Sequence, residues 1–221
     1  MHEVLEIVMP QVDDIEKAVS QIMEPFNENG DYEERICGGF WDFYIIGGRW
    51  AGHKLTAGLD KDALKAFYDD LKIKEVTVSG LQCGKQEISP ASQIPLVDEL
   101  WTSYFPEYAG RACPLFNHSN NQYENDCLYG DVLRIKDVPD GVSCSRFIVA
   151  NYDYDGDKLE AKTMFSDSIW NGVNHEKTDW DGMLRTALSK HINETSNYSQ
   201  EYKDENTPDD DWIVVTVDYH S

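Results

Sequence analysis

The segment Phe40-Trp41-Asp42-Phe43-Tyr44-Ile45-Ile46-Gly47-Gly48-Arg49-Trp50 combines a long apolar run with an immediate glycine turn. Phe40–Ile46 is apolar at nearly every position, which predicts a central strand buried on both faces. We expect Trp41 or Phe43 to lie in the main core. Gly47-Gly48 ends the run and predicts a tight turn, because glycine tolerates backbone conformations that other residues avoid.

Helices and strands are predicted on both sides of this segment. Apolar residues at helical spacing predict about four helices: one capped by Asp13 with Glu16, one capped by Asp60, one from Pro95 to Pro106, and one opened by Thr178. Further strands are predicted at Val4–Met9, around Val76 and Val78, and at Val132–Val138, Phe147–Tyr152, Leu159–Phe165 and Ile213–Tyr219. Asp155-Gly156 predicts a hairpin turn. Because these elements do not alternate as βαβ units, we predict an α+β fold with a largely antiparallel sheet.

The chain of 221 residues is long enough for one large domain or two small ones. We predict a single α+β domain over 1–221. Two stretches interrupt the predicted elements: a polar, asparagine-rich loop near 107–130 and an acidic connector near 193–211.

The charge balance excludes several classes of protein. The chain has 41 acidic and 19 basic side chains and a net charge of −22, which argues against direct nucleic-acid binding and against docking on an anionic membrane. No apolar run approaches the roughly 20 residues of a membrane span. Glu3 and Glu6 break the apolar start, so no signal peptide is predicted. The five cysteines, odd in number and irregularly spaced, indicate reduced thiols and a cytoplasmic protein.

Arg49 follows the two glycines directly, and two interpretations of this position compete. In one, the turn lets a ligand approach the backbone, Arg49 binds an anion and Trp50 stacks on a ring. In the other, the glycines form a plain turn and the aromatic side chains are core. We favour the second, in which Asp42 pairs with Arg49 or His53, because a carboxylate in an apolar strand needs a cation.

The carboxyl-terminal strand carries a second candidate constellation. Alternation places Ile213, Val215, Val217 and Tyr219 on one face, and Val214, Thr216, Asp218 and His220 on the other. An aspartate beside a histidine can act as a base, or both can bind a metal, although a merely polar strand end is the interpretation we favour.

Metal and catalytic motifs are weak or missing. Cys113, His118 and Cys127 have soft-ligand chemistry, but a structural zinc site needs four ligands and a close pair among them. No metal or cofactor is therefore predicted. The phosphate-loop, dinucleotide, serine-hydrolase and metalloprotease motifs do not occur. Enzymatic activity stays open, and binding is favoured.

The Trp41-Asp42 pair followed by aromatic residues and Gly47-Gly48-Arg49-Trp50, together with the terminal Asp218-Tyr219-His220, resembles a set of bacteriophage and bacterial proteins. Those proteins carry a Trp-Asp-aromatic stretch running into Gly-Gly-Arg-Trp near the amino end and Asp-x-His at the carboxyl end. A late hairpin followed by a tryptophan-containing segment, Ser166–Trp170, is also part of the resemblance. The resemblance rests on residues 41–50, roughly 147–170 and 212–220, which is less than a quarter of the chain. It implies a phage-type accessory setting, with a host-cell cytoplasmic location, and no activity, cofactor or catalytic residue.

Acidic residues concentrate near the carboxyl end, where residues 193–221 contain eight acidic residues and one basic residue, Lys203. We predict a counter-defence inhibitor whose acidic surface occupies the basic, nucleic-acid-binding site of a host protein. The predicted partner-binding residues are Asp204, Glu205, Asp209, Asp210 and Asp211. The alternative is a binding protein or an enzyme whose ligand is a nucleotide or another small anion. The predicted residues of that site are Arg49, Trp50, His53, Asp218 and His220.

Overall fold

The computed structural model describes residues 2–30, 39–82, 85–117, 130–144, 146–153, 155–166, 175–176 and 184–220. Its strands are β1 (His2–Met9), β2 (Phe43–Ile46), β3 (Val78–Gln82), β4 (Lys85–Ile88), β5 (Phe116–Asn117), β6 (Val132–Arg134), β7 (Arg146–Tyr152), β8 (Leu159–Ser166), β9 (His175–Glu176) and β10 (Ile213–His220). Its helices are α1 (Ile15–Met23), α2 (His53–Ala57), α3 (Lys61–Ile73), α4 (Ile94–Tyr104), α5 (Leu184–Thr195) and α6 (Gln200–Asn206).

The main sheet has seven strands in the order β2-β10-β1-β7-β8-β9, with β6 also paired to β10. The pairs of β10 with β1, β2 and β6 and of β7 with β8 are antiparallel, while β1–β7 and β8–β9 are parallel. The prediction of an α+β fold with a largely antiparallel sheet is therefore confirmed.

The outer edge of β10 is shared by two short strands placed end to end. β6 pairs with Ile213–Val215, and β2 pairs with Val217–His220. At Thr216, between them, the N–H donates to the Asp131 carbonyl at 2.9 Å and the carbonyl accepts from the Gly47 N–H at 2.8 Å. Both backbone groups of Thr216 at this break are therefore hydrogen-bonded, as a buried strand requires.

Each face of the sheet is covered by a different apolar cluster. Leu5, Ile7, Val215 and Val217 pack toward α1, and Val4, Val8, Phe147 and Val214 pack toward α5. A third cluster joins α3, α4 and a small sheet of order β3-β4-β5. β10 is thus buried on both faces, with the residue alternation that the sequence predicted.

The prediction that Phe40–Ile46 is a central strand is wrong. The strand begins only at Phe43, lies at the edge of the sheet, and leaves Phe43 52% exposed. Phe40 and Trp41 are nevertheless in the core: Phe40 packs on Phe26 and Tyr219, and the Trp41 indole N–H donates to the Met23 carbonyl. The apolar run therefore combines core residues before the strand with a half-covered edge strand. The burial of Trp41 is confirmed.

Several predicted boundaries also change. Asp14, not Asp13, caps α1, because its side chain accepts the Lys17 N–H, whereas Asp60 caps α3 as expected. The Val132–Val138 strand ends at Arg134, where a 3₁₀ turn begins.

The two predicted connectors are partly ordered into elements. The 107–130 stretch contains β5, the 193–211 connector contains α6, and Thr178 and residues 118–129 lie outside the described residues. The described residues form six helices, whereas the sequence predicted about four. The short helices α2 and α6 were not predicted, because they are too short to show a helical period in the sequence.

Candidate functional site

The glycine turn lies directly against β10, and two buried carboxylates fill the space that side chains would need. Gly47 and Gly48 have φ of +74° and +52°. A Cβ at Gly47 would lie 2.3 Å from Asp131 Oδ2, and one at Gly48 would lie 2.4 Å from the Cβ of Asp218. Both the backbone conformation and the close approach therefore require glycine.

Asp218 binds the turn to the amino terminus of the chain. Its Oδ2 accepts the Arg49 N–H at 2.9 Å, and its Oδ1 lies 2.9 Å from His2 Nδ1. The carboxylate is only 3% exposed. Asp218 is therefore an organising residue inside the sheet, not part of a polar strand end.

The Arg49 side chain is exposed, and no described carboxylate forms an ion pair with its guanidinium. The expected pairing of Asp42 with Arg49 or His53 is wrong. Asp42 Oδ1 instead lies 2.9 Å from His220 Nδ1, and this hydrogen bond lowers the Asp42 pKa. Arg49 is thus held through its backbone while its cation faces solvent.

Beneath the turn, Lys54 extends into the break between β2 and β6. Its Nζ donates to Glu6 Oε2 at 2.8 Å, to the Asp131 carbonyl at 2.7 Å, and to Thr216 Oγ1. Lys54 and Glu6 are both fully buried. An ammonium group carries three protons, so three acceptors satisfy it completely.

His53 closes this cluster on the solvent side. Its Nδ1 lies 2.9 Å from the Trp50 carbonyl, and its Nε2 lies 3.0 Å from Glu6 Oε1. Its side chain is 21% exposed. Burial raises the pKa of Glu6, but Lys54 and His53 outweigh burial, so the pKa is lowered below its ordinary 4.5. The charged cluster therefore stabilises the fold above pH 4.5, and this contribution is lost as the pH falls through the lower folded pKa.

A second polar group lies at the end of the same sheet face. His2 and His220 are cross-strand partners, and their ring centroids are 5.1 Å apart. Each ring binds a different carboxylate: His2 binds Asp218, and His220 binds Asp42. The His2 and His220 side chains are 26% and 42% exposed, respectively.

The structure brings together the five residues predicted for an anion site. Arg49 and Asp218 share a hydrogen bond, Trp50 and His53 are in edge contact at 6.3 Å, and His220 joins them through His2. The polar partners beneath them, Glu6, Lys54, Asp131, Thr216 and His2, were missed. Glu6, a glutamate inside the apolar strand Val4–Met9, was the sequence feature that could have indicated this buried cluster.

Of the predicted acidic binding residues, Asp209 and Asp211 are exposed and also form hydrogen bonds within the chain. Asp209 Oδ1 accepts the N–H groups of Asp211 and Trp212, and Asp211 pairs with Lys136 at 2.5 Å. The latter contact lowers the Asp211 pKa. Asp210 is exposed. Asp204 and Glu205 fall in α6, and their side chains lie outside what the structure describes.

Of the three residues with soft-ligand chemistry, only Cys113 lies among the described residues. Cys113 is buried, whereas His118 and Cys127 lie outside the described residues. Within the described ranges, no group of three or more metal-ligating side chains occurs. Among the helices of those ranges, none is both long and apolar enough to cross a membrane.

Replacing Gly48 with alanine is expected to destabilise the protein more than the same change at Gly110. Gly110 also has a positive φ, +81°, but open space surrounds its Cβ position. Gly110→Ala therefore measures the backbone penalty, roughly 1–2 kcal/mol. Gly48→Ala adds the collision with Asp218. Equal losses in urea unfolding would show that the close approach is unimportant.

Replacing Lys54 with methionine is expected to cost about 3–5 kcal/mol, because it leaves the Glu6 carboxylate buried without its cation. The double variant Glu6→Leu/Lys54→Met removes both charges and should cost less than the sum of the single changes. Lys72→Met is the surface control, since the Lys72 side chain is 77% exposed. Additive losses in denaturant unfolding would contradict direct coupling of the pair.

Comparisons of the chain with protein-family models, with curated proteins and with solved structures found no match.

Proposed function

We propose that the chain binds a small anionic ligand that carries an aromatic ring, of the nucleotide class, at the surface around Arg49 and Trp50. The observation that carries this proposal is the exposed Arg49 guanidinium, which has no ion-pair partner among the described carboxylates. A guanidinium is always charged, and its planar fork matches phosphate and carboxylate oxygens.

The backbone that carries Arg49 is fixed before any ligand arrives. The Arg49 N–H is bound by the Asp218 carboxylate, and the Trp50 N–H donates to the Gly47 carbonyl at 3.0 Å. A fixed backbone lowers the conformational entropy lost on binding. Asp218 therefore serves the site by position, and Arg49 supplies the charge.

Trp50 supplies an apolar surface beside that charge. The residue is 37% exposed, and its ring meets His53 edge-on at 78°. An exposed indole face can stack on a base, which contributes about 1–3 kcal/mol in nucleic-acid complexes. The combination of a fixed cation and a neighbouring aromatic ring favours a nucleotide over a simple inorganic anion.

The net charge of −22 opposes anion binding in general, so the affinity must come from local contacts. At physiological salt, charges beyond about 8 Å are largely screened. Direct hydrogen bonds from Arg49 act within that distance. The ligand class is therefore set by the turn and not by the overall field of the protein.

Titration with adenosine monophosphate tests this function. Arg49→Gln should weaken binding about 10- to 100-fold, the value of one or two charged hydrogen bonds. Trp50→Ala should weaken binding of the monophosphate while leaving binding of pyrophosphate nearly unchanged. Arg134→Gln is the matched control, because Arg134 is an exposed arginine paired with Asp137. Equal affinity of the Arg49 and Arg134 variants, or no binding at all, would refute the proposal.

A second candidate function rests on the excess of acidic side chains, 41 against 19 basic ones. In this function the chain is a phage-type counter-defence inhibitor in the host cytoplasm, and its acidic surface occupies a basic, nucleic-acid-binding site on a host protein. Asp210 is its best contact residue, because Asp209 and Asp211, although exposed, already form hydrogen bonds within the chain.

Displacement of bacterial proteins from immobilised DNA tests the second function. At low salt the chain should elute a specific protein, and salt should suppress the effect because the attraction is electrostatic. Asp210→Lys should reduce elution more than Glu99→Lys, an equal charge change on the exposed face of α4. Salt-independent elution, or equal effects of both variants, would exclude mimicry through this segment.

A further inference from the structure

Two histidines at the end of the main sheet are each oriented by a separate carboxylate. His2 Nδ1 lies 2.9 Å from Asp218 Oδ1, and His220 Nδ1 lies 2.9 Å from Asp42 Oδ1. The two rings are neighbours, with centroids 5.1 Å apart and an interplanar angle of 60°. None of these four side chains forms an ion pair with the Arg49 guanidinium, although Asp218 also accepts the Arg49 N–H.

We propose that His2 and His220 together bind a divalent transition-metal ion of the zinc class through their Nε2 atoms. The inference follows from which nitrogen of each ring is committed. An ionised carboxylate only accepts hydrogen bonds, so each Nδ1 carries the proton that it donates. The neutral tautomer then leaves the Nε2 lone pair available for a metal.

Carboxylates in this position are typical of metal-binding histidines. A ligating histidine usually donates its second ring nitrogen to a carboxylate, which fixes the ring and raises its basicity. In this chain both His2 and His220 have a carboxylate at Nδ1. Asp42 and Asp218 are therefore positioning residues, and the two imidazoles are the ligands.

The register of the sheet places both ligands on one side. His2 and His220 are directly opposite each other on β1 and β10, so their side chains project from the same face. Both side chains reach solvent, at 26% and 42% exposure. The proposed site has two protein ligands, and water molecules are proposed to fill its remaining coordination positions. Imidazole nitrogens favour zinc, copper and nickel over magnesium or calcium.

Titration with zinc chloride against a chelating indicator, in a buffer without phosphate, tests the site. One Zn²⁺ should bind per chain, and His2→Gln or His220→Gln should each weaken binding at least 10-fold. Asp42→Asn should weaken it about 10- to 100-fold through the orientation of His220. Zinc should also shift the ring Cε1–H proton resonances of both histidines, which the two variants assign.

Two control variants separate this site from its alternatives. Arg49→Gln removes the proposed anion site and should leave zinc affinity unchanged, so the two proposals fail independently. His118→Gln tests the alternative that zinc binds to Cys113, His118 and Cys127. His118 itself lies outside the described residues. Loss of zinc binding in His118→Gln with none in the His2 and His220 variants would overturn the proposal. Unchanged histidine resonances in the presence of zinc would overturn it equally.

Discussion

The structure depends on one buried charge, the ammonium group of Lys54. A lysine with no exposed surface is stable only if its three protons are satisfied and its charge is balanced. Glu6 supplies the charge, while Thr216 and the Asp131 carbonyl supply the remaining acceptors. These partners come from three distant segments of the chain. The ion pair therefore fixes how β1, β10 and the segment before β6 meet.

Lys54 reaches this position because the chain folds back sharply before it. The turn at Gly47-Gly48 brings the backbone against β10, and Asp131 and Asp218 occupy the space that Cβ atoms would take. The same two carboxylates then bind backbone N–H groups, Asp131 that of Gly52 at 2.7 Å and Asp218 that of Arg49. The turn, its glycines and its carboxylates form one unit that positions Lys54 inside and Arg49 outside.

Local patterns predicted the elements of this fold well, and their relative positions less well. The Asp60 cap and the alternation of β10 were predicted because they depend on neighbours in sequence. The edge position of β2 was not predicted. A short apolar run has the same sequence pattern whether it forms a central strand or packs in the core before an edge strand begins. Lys54 gave no signal, because its partner Glu6 is 48 residues away. Likewise, Asp218 is separated by 216 residues from His2.

The distribution of charge explains why both candidate sites lie on this sheet face. A net charge of −22 produces a field around the chain that attracts cations and repels anions. Lys54 is paired with Glu6 inside the fold. The Arg49 guanidinium has no ion-pair partner among the described carboxylates, although Asp218 accepts the Arg49 N–H. Each of the two histidine rings is oriented by a carboxylate that lies at hydrogen-bond distance from its Nδ1 atom. Asp42 and Asp218 therefore determine which ring nitrogens of the two histidines remain available to a ligand.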